Sequence, residues 1–115
     1  SPFLQEGDDY PLIAREVANR VAEHPDTNWG IVLCGSGMGV SIEANRHSAV
    51  RAALVRNVED ARMARADDHA NVLALGGLVT APQDLPAILD AWIQTKPSAA
   101  PRHLRRIDEI DHPAN

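Results

Sequence analysis

Gly30-Ile31-Val32-Leu33-Cys34-Gly35-Ser36-Gly37-Met38-Gly39 is the stretch on which the fold turns. An uninterrupted apolar run of this length reads as a strand buried on both faces, the pattern of a parallel sheet. The glycines behind it predict a tight turn with exposed main-chain amides. Val40 to Arg46 continues as a short helix over 40–46. The thiol of Cys34 therefore stands at a strand end and faces a helix N-terminus. That end carries partial positive charge and unpaired amides, which hold an anion and lower a thiol pKa. A plain strand-to-helix turn is one reading. The clustering of a thiol with three glycines favours another, an oxyanion cradle built from the amides near Ser36 to Gly39. A thiolate placed there can serve as nucleophile or general base. The spacing Gly35-x-Gly37-x-Gly39 is not a dinucleotide fingerprint, and the loop lacks the lysine of a nucleoside triphosphate P-loop.

Working outward, Asp9-Tyr10-Pro11 predicts a helix start, with Asp9 as N-cap and the proline in the first turn. Ile13, Val17 and Val21 recur every four residues, flanked by Ala14 and Ala18, so the helix is amphipathic and ends before Pro25. Residues 49–55 and 71–77 are two further strands. Between them, Asn57 caps a helix running to about Asp67. Leu85, Ile88, Leu89 and Trp92 mark another amphipathic helix, and a linker spans Pro97 to Pro101. A last helix over 102–110 carries Leu104, Ile107 and Ile110 on one side. Strands alternating with helices imply right-handed βαβ units and a parallel sheet covered on both faces. Ligands of such sheets sit beyond the carboxyl ends of the strands, where Cys34 and Gly76-Gly77 lie.

The chain has 115 residues, enough for one domain with a real core, and its hydrophobic content of 44% is ordinary for a globular protein. No apolar run approaches the ~20 residues of a membrane span. A net charge of −5 and an aromatic content of 3% argue against nucleic acid as a partner, despite Arg51, Arg56, Arg62 and Arg65. One cysteine excludes an internal disulfide, and with no signal peptide the cytoplasm is the expected location. The chain begins at Ser1 and not methionine, as expected of a processed protein or part of a longer one. Asp67-Asp68-His69 suggests a metal site only weakly, because His24, His47, His103 and His112 show no ligand spacing. Arg102 and Arg106 lie one turn apart on one helix face. They read either as a phosphate clamp or as a solvated basic face balanced by Asp108, Glu109 and Asp111.

Several of these segments, in order, resemble one family. They are Leu33 to Ile42, Ala44-Asn45-Arg46, Arg51 to Leu54, Ala61 to Arg65, Ala70 to Gly77, and Arg102-His103-Leu104-Arg105-Arg106. Together with Asp9-Tyr10-Pro11 they are similar to the type B ribose-5-phosphate isomerases, a family that includes the galactose-6-phosphate isomerase subunits. The resemblance runs from about residue 8 to 110. It implies an α/β fold, a Rossmann-like three-layer α/β/α sandwich with a parallel sheet. Here that fold would form one domain over 1–115, closed by a C-terminal helix at 102–112, without the family's usual first strands. It implies aldose–ketose isomerisation of a phosphorylated sugar of the ribose-5-phosphate type, with no metal or cofactor. It also implies a homodimer or homotetramer with sites shared between subunits, or pairing with a second related subunit.

By the same resemblance, Cys34 would move the proton between C2 and C1. Gly35, Gly37, Met38 and Gly39 would hold the enediolate oxygens, with the Ser36 hydroxyl beside the base. Tyr10 would line the sugar pocket, and Asn45 sits in the matching helix. Arg102 and Arg106 would bind the phosphate. Some members use a glutamate six positions after the cysteine; Val40 stands there, which makes this the cysteine type. Three departures matter. The chain starts after the family's Asp-His segment. Asp67-Asp68 replaces a His-Asn pair whose histidine opens the sugar ring. Leu78 replaces an arginine. Asp67 is then the candidate acid and Asp68 a binding residue. The alternative reading is a degenerate, non-catalytic subunit that binds a phosphorylated metabolite or pairs with a complete isomerase chain.

Overall fold

The computed structural model describes residues 9–113. In chain order the elements are α1 (Tyr10–Glu23), β1 (Gly30–Cys34), α2 (Met38–Asn45), β2 (Ala52–Leu54), α3 (Val58–Asp68), β3 (Val72–Gly76), a 3₁₀ turn (Pro82–Asp84), α4 (Leu85–Gln94) and α5 (Pro101–Asp111). The strands form one parallel sheet in the order β1-β3-β2, with Cys34 opposite Gly76 and Ala52 opposite Val72. Helices α1 and α2 cover one face and α3 and α4 the other, giving the expected α/β/α sandwich. No helix among the described residues is long and apolar enough to cross a membrane.

Small side chains set the packing on the first face. Ala14 and Ala18 of α1 meet Val40 and Ala44 of α2 in one buried cluster with Val32, Val72 and Ala74. Alanines at these positions let the helix axes approach closely, which brings the start of α1 onto the start of α2. An ion-paired group on the rim, Arg15 to Glu43 at 3.3 Å and Glu43 to His47 at 2.9 Å, joins the same two helices. Larger side chains fill the second face: Leu73 and Leu75 of β3 pack with Ile88 and Trp92 of α4 and Ala61 and Ala64 of α3. The Trp92 indole N–H donates to the Ala70 carbonyl at 3.0 Å, so its burial leaves no polar atom unpaired.

Local signals explain the element ends. Asn57 Oδ1 accepts the Asp60 N–H at 2.7 Å, and Asp60 Oδ2 accepts the Arg56 N–H at 3.1 Å, a reciprocal cap on α3. Asp9 occupies the N-cap position of α1, but its side chain makes no capping bond. The second strand is shorter than the apolar run 49–55 predicts. Ala49 takes a left-handed φ of 65°, and the Arg51 N–H is bound by the Asn71 side chain at 2.8 Å, so the ladder starts only at Ala52.

Two expectations are corrected. β3 is buried throughout, as its apolar run predicts, but β1 is not. β1 lies at the sheet edge, and α3 and α4 centre on β3, so Ile31 and Leu33 remain 47% and 52% exposed. An apolar run records a strand's chemistry, not whether a neighbour covers it. On α5 only Ile107 of the expected apolar side is buried, while Leu104 and Ile110 stay exposed. The helix is nevertheless docked. The Arg51 guanidinium donates to both Asp111 carboxylate oxygens, at 2.9 and 2.7 Å, and to the Asp68 and His69 carbonyls.

Buried Asn71 ties the amino ends of the strands together. Its Oδ1 accepts the Arg51 N–H at 2.8 Å, and its Nδ2 donates to the Ala49 carbonyl at 2.9 Å. Asn71→Ala leaves both main-chain groups unsatisfied, and the expected loss is about 2–4 kcal/mol at ~1–2 per bond. Chemical denaturation measures it; a loss below about 0.5 kcal/mol would show that the pin is dispensable.

Candidate functional site

The strand-end loop is built as the glycine spacing predicts. Gly37 precedes α2 with φ +81°, and a Cβ there would lie 2.5 Å from Leu54 Cδ1 and 2.9 Å from the Leu75 carbonyl carbon. No L side chain fits that conformation and that space. The end of β3 grips the loop from the other side: the Gly77 N–H donates to the Cys34 carbonyl at 2.8 Å and the Leu78 N–H to the Gly35 carbonyl at 2.9 Å. The Ser36 hydroxyl accepts the Met38 N–H at 3.2 Å and so caps the first turn of α2. That turn contains no acidic side chain, which leaves its positive end uncompensated.

Cys34 Sγ sits inside this turn, partly exposed, and accepts the Gly37 N–H at 3.2 Å. Partial burial pushes the thiol pKa up, but the amides of Val40, Gly37, Ser36 and Gly39 together pull it further down. The result is a thiol below its ordinary range, stabilised as thiolate by main-chain dipoles. The Tyr10 ring lies against Gly39, in the space that a Cβ at that position would occupy. The close approach of α1 to α2 therefore delivers Tyr10 to the loop. Met38 and Leu78 border the loop as well and are exposed, Leu78 to 89%. The structure thus brings together Tyr10, Cys34, Gly35, Ser36, Gly37, Met38 and Gly39.

It does not bring the remaining candidates to them. Asn45 ends α2, so it lies at the opposite end of the sheet. Both polar atoms of its side chain are engaged by Ala52: Oδ1 accepts the Ala52 N–H at 2.7 Å and Nδ2 donates to the Ala52 carbonyl at 2.9 Å. Asp67 and Asp68 end α3 at that same opposite end, both exposed. α5 crosses there too, carrying Arg102 and Arg106, which are exposed and form no ion pair among the described residues. A five-residue strand separates the two ends by roughly 13 Å, at ~3.3 Å per residue. A cleft of about 620 Å³ opens at this far end, lined by Asn45, Arg46, Arg51, Asp68 and Asp111 among others; it contains none of the thiol loop. Among the described residues no group of three or more His, Cys, Asp or Glu side chains is placed to hold a metal ion.

Sequence reasoning missed three residues that shape the far end. Arg51 and Asn71 hold it together, and His103 reaches Asp67, with Nε2 3.8 Å from Oδ1. Arg51 and Asp111 are 60 residues apart, so no local pattern announces their pairing.

The lowered thiol pKa is directly measurable. Alkylation of Cys34 by iodoacetamide should follow a titration centred below the ~8.5 of an unperturbed cysteine. A midpoint at or above that value would mean that burial outweighs the amides.

With the geometry in hand, the comparisons with known proteins are specific. Residues 2–110 match the family model described as Ribose/Galactose Isomerase. The chain is 44% identical over 101 residues to ribose-5-phosphate isomerase B of Mycolicibacterium paratuberculosis, covering 88% of this chain and 63% of that protein. It is 36% identical to the galactose-6-phosphate isomerase subunit LacB of Clostridium acetobutylicum, covering 89% of this chain and 58% of that subunit. A crystal structure of ribose-5-phosphate isomerase B from Mycoplasma genitalium with bound ribulose-5-phosphate superposes with a TM-score of 0.89 at 37% identity. That match covers 96% of this chain and 72% of the other. The chain thus spans about two thirds or less of the curated relatives named here. Matched along nearly its whole length in sequence and in fold, the chain belongs to the ribose/galactose isomerase family.

Proposed function

We propose that this chain interconverts an aldose phosphate and its ketose phosphate, with a pentose 5-phosphate as substrate, through a cis-enediolate. The observation that carries the reading is Cys34 Sγ, held as thiolate before the amides of Ser36, Gly37, Gly39 and Val40. A sugar C–H is very weakly acidic. Its removal becomes feasible only when the oxygen charge that develops is stabilised at the same moment. The loop supplies both parts: the sulfur takes the proton from C2 and returns it to C1, and the amides meet the oxyanion. The Ser36 hydroxyl and Tyr10 border the same space, the latter against Gly39. The names of the similar proteins, ribose-5-phosphate isomerase B above all, support this substrate class. A reaction on free phosphorylated sugars fits the cytoplasm.

The loop has no phosphate-binding cation of its own among the residues brought to it. Arg102 and Arg106 are available cations, but they project from the far end of the sheet. In this reading a second copy of the chain closes the gap: α5 of one copy faces the thiol loop of the other, and the phosphate sits on its two guanidiniums. The exposed apolar residues around the loop, Met38 and Leu78, are the surface such a copy would cover. Asp67 and Asp68 enter the site with α5, on the side of the second copy. Asn45 shapes the far end by holding Ala52, and does not touch the sugar.

The test is isomerisation of ribose 5-phosphate in D₂O. The native protein should incorporate solvent deuterium at the carbon that loses its proton. Cys34→Ala should lower turnover by about 10²–10⁴, the range of a general base. Arg102→Ala and Arg106→Ala should each raise KM about tenfold or more, in line with a lost charge-assisted hydrogen bond. Phosphate-dependent binding without deuterium incorporation would overturn the catalytic reading.

A further inference from the structure

We propose that His103, flanked by Asp67, is the acid–base group that opens the cyclic sugar phosphate before Cys34 acts. The inference rests on the isomerase reading and adds a step the thiol loop does not provide. An aldopentose 5-phosphate in water is mostly a furanose. Its C1 is then a hemiacetal without a carbonyl, and the C2 hydrogen gains no acidity until the ring opens. Opening needs one group that takes a proton from the anomeric hydroxyl and gives one to the ring oxygen.

His103 is placed for this. It lies in the first turn of α5, and its side chain is only 13% exposed, whereas Asp67 beside it is 50% exposed. Nδ1 lies 2.7 Å from Ser98 Oγ, and Nε2 lies 3.8 Å from Asp67 Oδ1. Ser98 is itself immobilised at every polar atom. Its N–H donates to the Ala66 carbonyl at 2.9 Å, its carbonyl oxygen lies 2.8 Å from His69 Nε2, and its Oγ accepts the Ala100 N–H at 3.1 Å. With Nδ1–H donated to the second lone pair of Ser98 Oγ, the Nε2 lone pair faces Asp67 and the open side. A carboxylate at that distance favours the imidazolium that forms when Nε2 takes a proton. Arg106 is three residues on, a neighbour on the same helix face, and Arg102 adjoins it in sequence; both disfavour the imidazolium until a phosphate neutralises them. Binding of the phosphate thus sets the imidazole for its task.

The step balances without a co-reactant. The anomeric O–H gives its proton to Nε2, the C1–ring oxygen bond breaks as the C1 carbonyl forms, and Nε2–H returns the proton to the ring oxygen, which becomes a hydroxyl.

The experiment compares two substrates. Ribose 5-phosphate must open before it reacts. Ribulose 5-phosphate cannot close a furanose, because its 5-oxygen carries the phosphate, so exchange of its C1 hydrogen with D₂O needs no ring opening. In His103→Asn the ratio of ribose 5-phosphate turnover to ribulose 5-phosphate exchange should fall at least tenfold relative to the native protein. Asp67→Asn should move the ratio the same way by a smaller factor. Circular dichroism and thermal midpoints establish that both variants fold; should His103→Asn fail to fold, Asp67→Asn decides. An unchanged ratio, with both activities intact or equally reduced, overturns the proposal and leaves the isomerase reading standing. A native protein that exchanges neither substrate overturns that reading and this proposal with it.

Discussion

A parallel sheet has two chemically different ends, and everything in this molecule follows from that constraint. Each helix that follows a strand starts at the carboxyl end of the sheet and finishes at the amino end. Unpaired amides therefore gather at one end and carbonyls at the other. The thiol of Cys34 stands at the end rich in amides, where main-chain dipoles hold it as an anion without a cationic side chain. The guanidiniums of Arg102 and Arg106 arrive at the other end, because α5 follows α4 and must begin where α4 finishes. A reaction that needs both an oxyanion cradle and a phosphate clamp cannot be assembled from one sheet of this size. Two copies, each offering a different end, resolve the geometry.

The packing serves that division. On one face, alanines at the α1–α2 contact set Tyr10 against Gly39, so a helix far upstream in sequence lines the thiol loop. At the far end, where polar groups are dense, Arg51 and Asn71 satisfy the carbonyls and amides that strand starts and helix ends leave open. Both residues convert potential desolvation costs into directed bonds, and both hold α5 and its arginines at a defined place. Leu78, almost fully exposed beside the loop, adds an apolar rather than a charged border to the cradle.

Much of this was legible in the chain before any coordinates. The run from Gly30 to Gly39 announced strand, turn and helix, and the left-handed Gly37 is the reason its glycines are needed. Asn57 announced its own cap. The family was readable because its motifs are long and ordered. What escaped was relational. An apolar run cannot say that β1 is an edge strand with Ile31 and Leu33 uncovered. The arginine pattern of α5 cannot say that it lies at the opposite end from Cys34. His103 reads as one more member of a basic helix until folding sets it beside Asp67. These facts depend on which elements become neighbours, and pairings that span tens of residues leave no periodic trace.

The central claim is that the thiol loop of one copy works with the arginines of another. Mixing two inactive variants tests it most directly. Cys34→Ala supplies intact arginines, and the double variant Arg102→Ala/Arg106→Ala supplies an intact thiol. After co-refolding, hybrid dimers should contain one complete site, and ribose 5-phosphate isomerisation should return to about a quarter of the native activity by random pairing. Activity no greater than the sum of the two variants alone would contradict a site shared between copies.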